Sequence, residues 1–232
     1  MREVKKFWNW TTDAKGNRTL RLDGVIAAES WYGDEITPKA FRAELNSGTG
    51  DITVSINSEG GDVFAASEIY AALKEYRGRI TVSIINAFSA ASVIAMAGDT
   101  VEISATGLIM IHDPWTFTQG NSAEMKASAK MLDEIKESII NAYEQKTHLP
   151  RKEISRLMEE ETWLHAGKAV ELGFADRISG ADEMTSAAIS SRRQVMNSFT
   201  EAIKAKRMVE AKENKISAAA LRRRLEIYLT RR

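Results

Sequence analysis

A strand that passes directly into a helix is predicted between Ile80 and Gly98. Residues 80–85 are apolar and mostly β-branched, as in a buried strand, whereas residues 90–97 are rich in alanine, which favours a helix. Ser92 falls near the start of this helix, where unpaired N–H groups and the positive end of the helix dipole favour an anion. Because small residues before it permit a sharp turn, Ser92 is a candidate nucleophile, with simple packing as the alternative.

Two other strand ends carry residues suited to a site. Gly60 and Gly61 follow an alternating strand at 51–56, and paired glycines allow backbone N–H groups to approach a ligand closely. His112 follows the apolar run 108–111, and Pro114 prevents that strand from continuing. Since functional groups of α/β proteins gather at strand ends, His112 is the second candidate.

The remaining pattern alternates strands with helices, which predicts an α/β fold with a parallel sheet. A long helix from Ser122, which is predicted to cap it, has an apolar stripe that indicates packing on the sheet. The predicted strands span residues 5–11, 19–26, 51–56, 80–85, 100–103, 108–111 and 174–178, and the helices span 38–45, 63–76, 90–97, 122–147 and 151–159.

Four motifs in this order resemble the Clp protease proteolytic subunits (the ClpP family), serine peptidases of the crotonase-like superfamily. The similarity extends from about Thr19 to Ser179. The motifs are I-N-S-E-G-G at 56–61, A-A-S-V at 90–93, M-I-H-D-P at 110–114 and W-L-H-A-G-K-A-V-E-L-G-F-A-D at 163–176.

The resemblance implies a catalytic triad of Ser92 as nucleophile, His112 as general base and Glu161 in the place of the family's aspartate. It also implies that Gly61 and Val93 supply the N–H groups of the oxyanion hole. In such a triad the imidazole accepts the serine proton and the carboxylate orients the imidazole.

Several residues depart from the family pattern and leave the acid open. Glu59 stands where the family usually has proline, Phe88-Ser89 replaces Gly-Gln, and Asp113 replaces glutamine. Because three glutamates occur in succession, Glu159, Glu160 and Asp113 are alternatives to Glu161 as the acid.

The implied fold is a ClpP/crotonase-like spiral of β-β-α units with a strand-plus-long-helix handle between subunits, and the implied assembly is a homo-oligomeric ring. The implied substrates are proteins or peptides. Two subtypes compete: a housekeeping subunit that works with an ATPase unfoldase, and a phage or prophage head-maturation protease that cuts scaffold and capsid proteins. The replaced proline, the E-T-W motif at 161–163 and a basic extension favour the second.

The extension begins after Gly180, so the predicted domains are a protease domain at 1–180 and a basic helical extension at 181–232. The extension has 12 Lys and Arg against 6 Asp and Glu, a balance of +6. The whole chain has 32 of each, which leaves −6 in residues 1–180. Such asymmetry indicates a helical arm that packs on the core or a neighbour, docks an acidic partner or is removed by self-cleavage.

Composition narrows the partners and the location. The absence of cysteine excludes disulfides and cysteine chemistry and suits a reducing compartment. No signal peptide or membrane span is predicted, so we expect a cytoplasmic protein, in a host cytoplasm or an immature phage capsid. Arg222, Arg223 and Arg224 have no base-reading motif beside them, so nucleic acid is not an expected partner. No motif requires a metal or an organic cofactor.

Two other functional hypotheses remain, an acyl-CoA enzyme and an inactive structural protein. A crotonase-type acyl-CoA enzyme would use the paired N–H groups on a thioester enolate without needing Ser92 and His112 together. An inactive structural homologue would keep the fold for assembly alone, and replacement of Ser92 by alanine would then have no effect on any activity.

Overall fold

A computed structural model describes residues 8–12, 16, 18–28 and 38–180. The chain divides into two units, Met1–Glu183 and Met184–Arg232. The predicted helical extension lies outside the described residues, so the domain boundary after Gly180 stays a prediction. Within the described part, no helix is both long enough and apolar enough to cross a membrane.

The described elements confirm the α/β class, with seven strands and six helices. In chain order they are β1 (Trp8–Thr12), β2 (Arg18–Ile26), α1 (Pro38–Leu45), β3 (Ile52–Gly61), α2 (Val63–Lys74), β4 (Ile80–Phe88), α3 (Ala90–Ala95), β5 (Thr100–Ile111), α4 (Ser122–Thr147), α5 (Arg151–Glu159), β6 (Thr162–His165), α6 (Ala166–Glu171) and β7 (Arg177–Ile178).

The sheet is mixed rather than wholly parallel. Its order is β1-β2-β3-β4-β5-β6, and β7 pairs with β5. The four central strands β2 to β5 run parallel, whereas β1 and β6 are antiparallel to their neighbours. The parallel part follows from the strand–helix alternation, because each crossover needs a connection long enough to return the chain to the same edge.

The core lies along rows of β-branched and leucine side chains that cross the central strands. Leu20, Val54, Val82 and Val101 are neighbours in the parallel register, and each is 0% exposed. Alternate residues on these strands are partly exposed, as the two-residue period of a strand requires.

Several predicted boundaries were wrong in a way that affects the site. Strand β4 continues three residues beyond Ile85, to Phe88, because it pairs with β5 after a register shift at residues 84–86. The predicted strands at 100–103 and 108–111 form the single strand β5. The strand β6 was not predicted, and its four residues pair with the end of β5.

Helix α4 ends at Thr147 as predicted, but its N-cap and the burial of its apolar stripe differ from the prediction. Asn121, not Ser122, caps it, in a capping box with Glu124. The apolar stripe is buried only from Ile139 onward, whereas Met125 and Met131 are 40% and 43% exposed. The segment before it, residues 112–121, forms no regular strand, so the expected strand of the handle is absent from the described part. An extended segment becomes a strand only when another strand accepts its hydrogen bonds.

Candidate active site

Strands β4 and β5 end side by side at one edge of the sheet. Phe88 lies opposite Met110 in their parallel register, and the backbone N–H of Ser89 donates to the Met110 carbonyl at 2.8 Å. Ser89 and His112, which follow these strand ends, are therefore brought to the same place by backbone pairing alone.

The side chains of Ser89 and His112 are in contact. The distance from Ser89 Oγ to His112 Nε2 is 2.7 Å, within normal hydrogen-bond range. Both side chains are half-buried, so the pair is open to solvent on one side. His112, predicted from its position at a strand end, therefore lies at the centre of the site.

The backbone of Ser89 adopts a conformation that non-glycine residues rarely take. Its φ is 53° and its ψ is −126°, between strand β4 and the first residue of helix α3. Such strain persists only where the surrounding structure enforces it, and a serine on a sharp strand-to-helix turn is the geometry of a nucleophile elbow.

Ser92, the predicted nucleophile, does not reach His112. It is 0% exposed, in the middle of helix α3. Its hydroxyl donates to the Ser89 carbonyl at 2.6 Å and lies 2.7 Å from the hydroxyl of Tyr143. Ser92 was predicted to lie at the exposed turn, and this prediction was wrong. Strand β4 runs to Phe88, which puts the exposed turn at Ser89, three residues earlier.

Glu161 and His112 adjoin the last residue pair of β5 and β6. Ile111 is opposite Thr162 in the antiparallel register, and His112 follows Ile111 in the chain as Glu161 precedes Thr162. Glu161 has a positive φ of 47° and accepts a hydrogen bond from the Trp163 indole at 3.3 Å. The Trp163 ring in turn packs edge-on against Phe88, with centroids 5.0 Å apart.

The three alternative acids are engaged by cations. Asp113 and Glu159 both contact Lys136 Nζ, at 3.0 and 2.8 Å, and Glu160 contacts Arg156 at 2.6 Å. The pKa of Glu159 is held below its ordinary value by its hydrogen bonds to Lys136 and then Ser155. Burial alone would lower the pKa of Lys136, but the hydrogen bonds that Lys136 donates to Glu159 and Asp113, together with their negative charges, outweigh burial and raise it.

The paired glycines lie directly against the Ser89 turn. A Cβ on Gly60 would come within 2.6 Å of the Phe88 carbonyl oxygen and 2.9 Å of Ser89 Cβ, so only glycine fits. Gly61 is packed against Ile26 of strand β2, where an added Cβ would lie 2.1 Å from the carbonyl oxygen. The hydroxyl of Ser58 supports this turn by accepting from the Gly60 N–H at 3.1 Å and donating to the Gly24 carbonyl at 2.5 Å.

Val93, the other predicted oxyanion donor, lies inside helix α3 and is 4% exposed. The residue that follows Ser89 is Ala90, the first residue of the helix. The N–H groups of a first helical turn have no partner within the helix, so the N–H of Ala90 belongs to the set that can face a ligand.

Sequence reasoning missed Ser89 because S-A-A-S at 89–92 contains two serines with small neighbours. Phe88 could have located the turn, because it is the last large apolar residue before this run and the turn follows directly after the strand. No set of three or more histidines, aspartates or glutamates in the described ranges is arranged to hold a metal ion.

The fold and site define an α/β protein with a serine–histidine pair at a strained strand-to-helix turn and a glutamate directly before the strand that pairs with the end of β5. A family model described as Clp protease matches residues 16–182. The chain therefore belongs to the Clp protease family.

Two curated relatives carry the name ATP-dependent Clp protease proteolytic subunit. The protein from Deinococcus radiodurans is 26% identical over 153 residues, which cover 65% of this chain and 75% of the relative. The protein from Porphyromonas gingivalis is 27% identical over 168 residues, which cover 68% of this chain and 75% of the relative.

Proposed function

We propose that this protein is a serine endopeptidase with Ser89 as nucleophile, His112 as general base and Glu161 as the acid that orients the histidine. The observation that carries the proposal is the 2.7 Å contact between Ser89 Oγ and His112 Nε2 at a strained turn. Ser89 replaces Ser92 in this role, since a buried hydroxyl bonded to a carbonyl cannot meet a peptide substrate.

In the first half-reaction Ser89 Oγ adds to the carbonyl carbon of the peptide, and its proton passes to His112 Nε2. The imidazolium then gives this proton to the amine as the C–N bond breaks, which leaves an acyl group on Ser89. In the second half-reaction water adds to the acyl carbon while His112 accepts its proton. The bond between this carbon and Ser89 Oγ then breaks, His112 returns the proton to Oγ, and the product leaves as a carboxylic acid. This sequence needs the neutral histidine with its proton on Nδ1, directed toward Glu161.

The oxyanion of each tetrahedral intermediate is assigned to the N–H groups of Gly61 and Ala90. Ala90 replaces Val93, because a nucleophile elbow supplies the N–H of the residue that follows the nucleophile. Removal of one such donor costs about 3 kcal/mol of transition-state stabilisation in other serine hydrolases.

The nucleophile assignment is tested with a fluorophosphonate on wild type, Ser89→Ala and Ser92→Ala. Intact mass before and after exposure, followed by peptide mapping, locates the adduct. We expect one adduct on Ser89 in the wild type and in Ser92→Ala, and none in Ser89→Ala. Labelling that survives in Ser89→Ala but not in Ser92→Ala would restore Ser92. Binding of a CoA thioester to a protein that takes no label would favour the acyl-CoA reading.

The active form is proposed to be a ring of identical subunits. The segment before α4 and the first half of that helix present large exposed apolar side chains, with Trp115 76% and Phe117 86% exposed. Apolar surface of this kind is characteristic of protein contacts. Replacement of both Trp115 and Phe117 by serine should weaken the contacts between subunits, so the mass of the assembly measured by analytical ultracentrifugation should fall. Phe64→Ser, which removes a ring that is 59% exposed on α2, is the matched control.

For the biological role we propose head maturation in a phage or prophage, with scaffold and capsid proteins as substrates, in the host cytoplasm or the immature capsid. Glu59 in place of proline, the E-T-W motif and the basic extension support this choice. Truncation after Gly180 should leave peptide hydrolysis intact and abolish processing in a capsid-assembly assay. Unchanged processing by the truncated protein would show that the extension has no part in it, whereas processing that requires an added ATPase unfoldase would favour the housekeeping subtype.

A further inference from the structure

A chain of two buried hydroxyls runs from helix α4 to the backbone of Ser89. The hydroxyls of Tyr143 and Ser92 are 2.7 Å apart, and Ser92 Oγ donates to the Ser89 carbonyl oxygen at 2.6 Å. Because serine has a single hydroxyl proton and that proton is given to the carbonyl, Tyr143 must donate to Ser92. The direction of the chain is therefore Tyr143 to Ser92 to the carbonyl of Ser89.

Both hydroxyls are held away from water. Tyr143 is 1% exposed and Ser92 is 0% exposed. Burial raises the pKa of Tyr143 far above its ordinary value, against the smaller opposing effect of the bond to Ser92, so the phenol remains a donor. The Tyr143 ring is positioned separately, by an edge-on contact with Phe174 at a centroid distance of 5.5 Å.

The Ser89 carbonyl belongs to the same peptide unit as the N–H of Ala90. A trans peptide is planar, so its C=O and the following N–H point in opposite directions. The carbonyl receives two donors from the protein interior, Ser92 Oγ at 2.6 Å and Ser92 N–H at 3.0 Å. When these donors hold the carbonyl inward, the N–H of Ala90 is directed outward, on the side of the Ser89 turn away from the core.

We propose that Tyr143 and Ser92 are positioning residues that aim the N–H of Ala90 at the oxyanion, through the carbonyl of Ser89. The proposal rests on the proposed peptidase function and deepens it, because it assigns a role to a serine that is not the nucleophile. Neither side chain touches the substrate. A hydroxyl chain of this kind acts on the transition state, since the oxyanion exists only after Ser89 has attacked.

If Tyr143 and Ser92 had a purely structural role, their replacement would lower the melting temperature without lowering kcat relative to KM. The test therefore compares wild type, Tyr143→Phe, Ser92→Ala and the double variant as the full chain. It measures kcat and KM on one peptide, the melting temperature, and the inhibition constant of a peptide aldehyde. The aldehyde adds to Ser89 as a hemiacetal, whose oxygen occupies the oxyanion position.

We expect kcat to fall about 5-fold in Tyr143→Phe and about 20-fold in Ser92→Ala, with KM changed less than about 2-fold. The aldehyde inhibition constant should rise by the same factors as kcat falls. The double variant should match Ser92→Ala in kcat, because the carbonyl has already lost its side-chain donor. It should melt at a higher temperature than Ser92→Ala, in which the Tyr143 hydroxyl is buried without its partner.

Ile140→Val is the control for lost stability, because it removes one methylene from a residue of α4 that is 1% exposed and bonds to neither hydroxyl. If Ser92→Ala loses no more kcat or aldehyde affinity than this control, the inference is overturned. An additive kcat loss in the double variant would also overturn it. Fluorophosphonate labelling of wild-type Ser89 distinguishes the two proposals: labelling with unchanged kcat in Ser92→Ala refutes only the positioning role, whereas no labelling refutes the peptidase.

Discussion

The turn after strand β4 and the helix that follows it each carry a serine, and the two serines have opposite environments. Ser89 is half-buried, has a strained backbone and contacts His112, whereas Ser92 is fully buried and bonded to Tyr143 and to the Ser89 carbonyl. The two serines are three positions apart in the chain. A serine hydroxyl at the strand end is therefore accessible and paired with a base, whereas one turn of helix later the same group is part of the core.

Replacement of Ser89 should have the largest effect of any substitution. Ser89→Ala should lower kcat/KM at least about 10⁴-fold, because the residue that forms the covalent bond is lost. Ser92→Ala should stay within about 20-fold, as argued above. Ser67→Ala, which removes a hydroxyl bonded only to its own helix at Val63, should be silent. Equal losses at Ser89 and Ser92 would remove the distinction between the two serines. The measurement is peptide hydrolysis under single-turnover and steady-state conditions.

Replacement of Glu161, the acid that we propose for the triad, should have the next largest effect. Glu161→Gln should lower kcat about 10²-fold or more, because an amide cannot stabilise the imidazolium that forms when Ser89 is deprotonated. Glu160→Gln, which alters an exposed carboxylate paired with Arg156, should change kcat less than about 2-fold. Steady-state kinetics measures kcat in both variants. A larger loss of kcat in Glu160→Gln than in Glu161→Gln would identify Glu160 as the acid of the triad.

A third substitution changes the packing beneath Ser89 without altering either serine. Gly60→Ala should lower kcat about 10-fold or more, because the new Cβ would displace the Phe88 carbonyl and the Ser89 turn. Gly50→Ala is the matched control, since Gly50 has a similar φ of 90° but open space around it. Kinetics and thermal melting on both variants separate lost turn geometry from backbone strain. Equal kcat losses in the two variants would show that strain alone is responsible.

The smallest expected effect is on the pH dependence of stability, through Tyr143, the hydrogen-bond partner of Ser92. Burial raises the pKa of Tyr143, so its proton is held more tightly in the folded chain than in the unfolded one. The associated stability is present below the ordinary tyrosine pKa of about 10 and is lost as pH rises above it. Chemical denaturation between pH 8 and about 11 measures the free energy of unfolding, which should fall less steeply with pH in Tyr143→Phe than in wild type. Tyr70, whose pKa burial also raises, remains in both proteins. Identical slopes would mean that the Tyr143 hydroxyl is not buried in solution.

Local patterns predicted most of the scaffold. The apolar run of β4, the glycines at 60 and 61 and the histidine before Pro114 are features of neighbouring residues, and the structure places all three at one edge of the sheet. The long helix was predicted to its last residue, because a continuous helical stretch is also a local feature, although the predicted cap Ser122 was wrong. The burial of its apolar stripe was only half predicted, since exposure depends on what packs against it.

Strand and helix preferences act over a few residues, so the sequence alone was enough to predict an α/β chain with a serine-bearing turn, a glycine turn and a histidine at successive strand ends. Which serine contacts that histidine depends on contacts between distant segments. Strand β4 ends at Phe88 because it pairs with β5 after a register shift, and β5 lies more than ten residues further along the chain. The pairing of β5 with β6 likewise places His112 and Glu161 next to the same residue pair, Ile111 and Thr162. Contacts between distant segments cannot be read from a local pattern, and they leave Ser92 inside the core, where it supports the turn of Ser89.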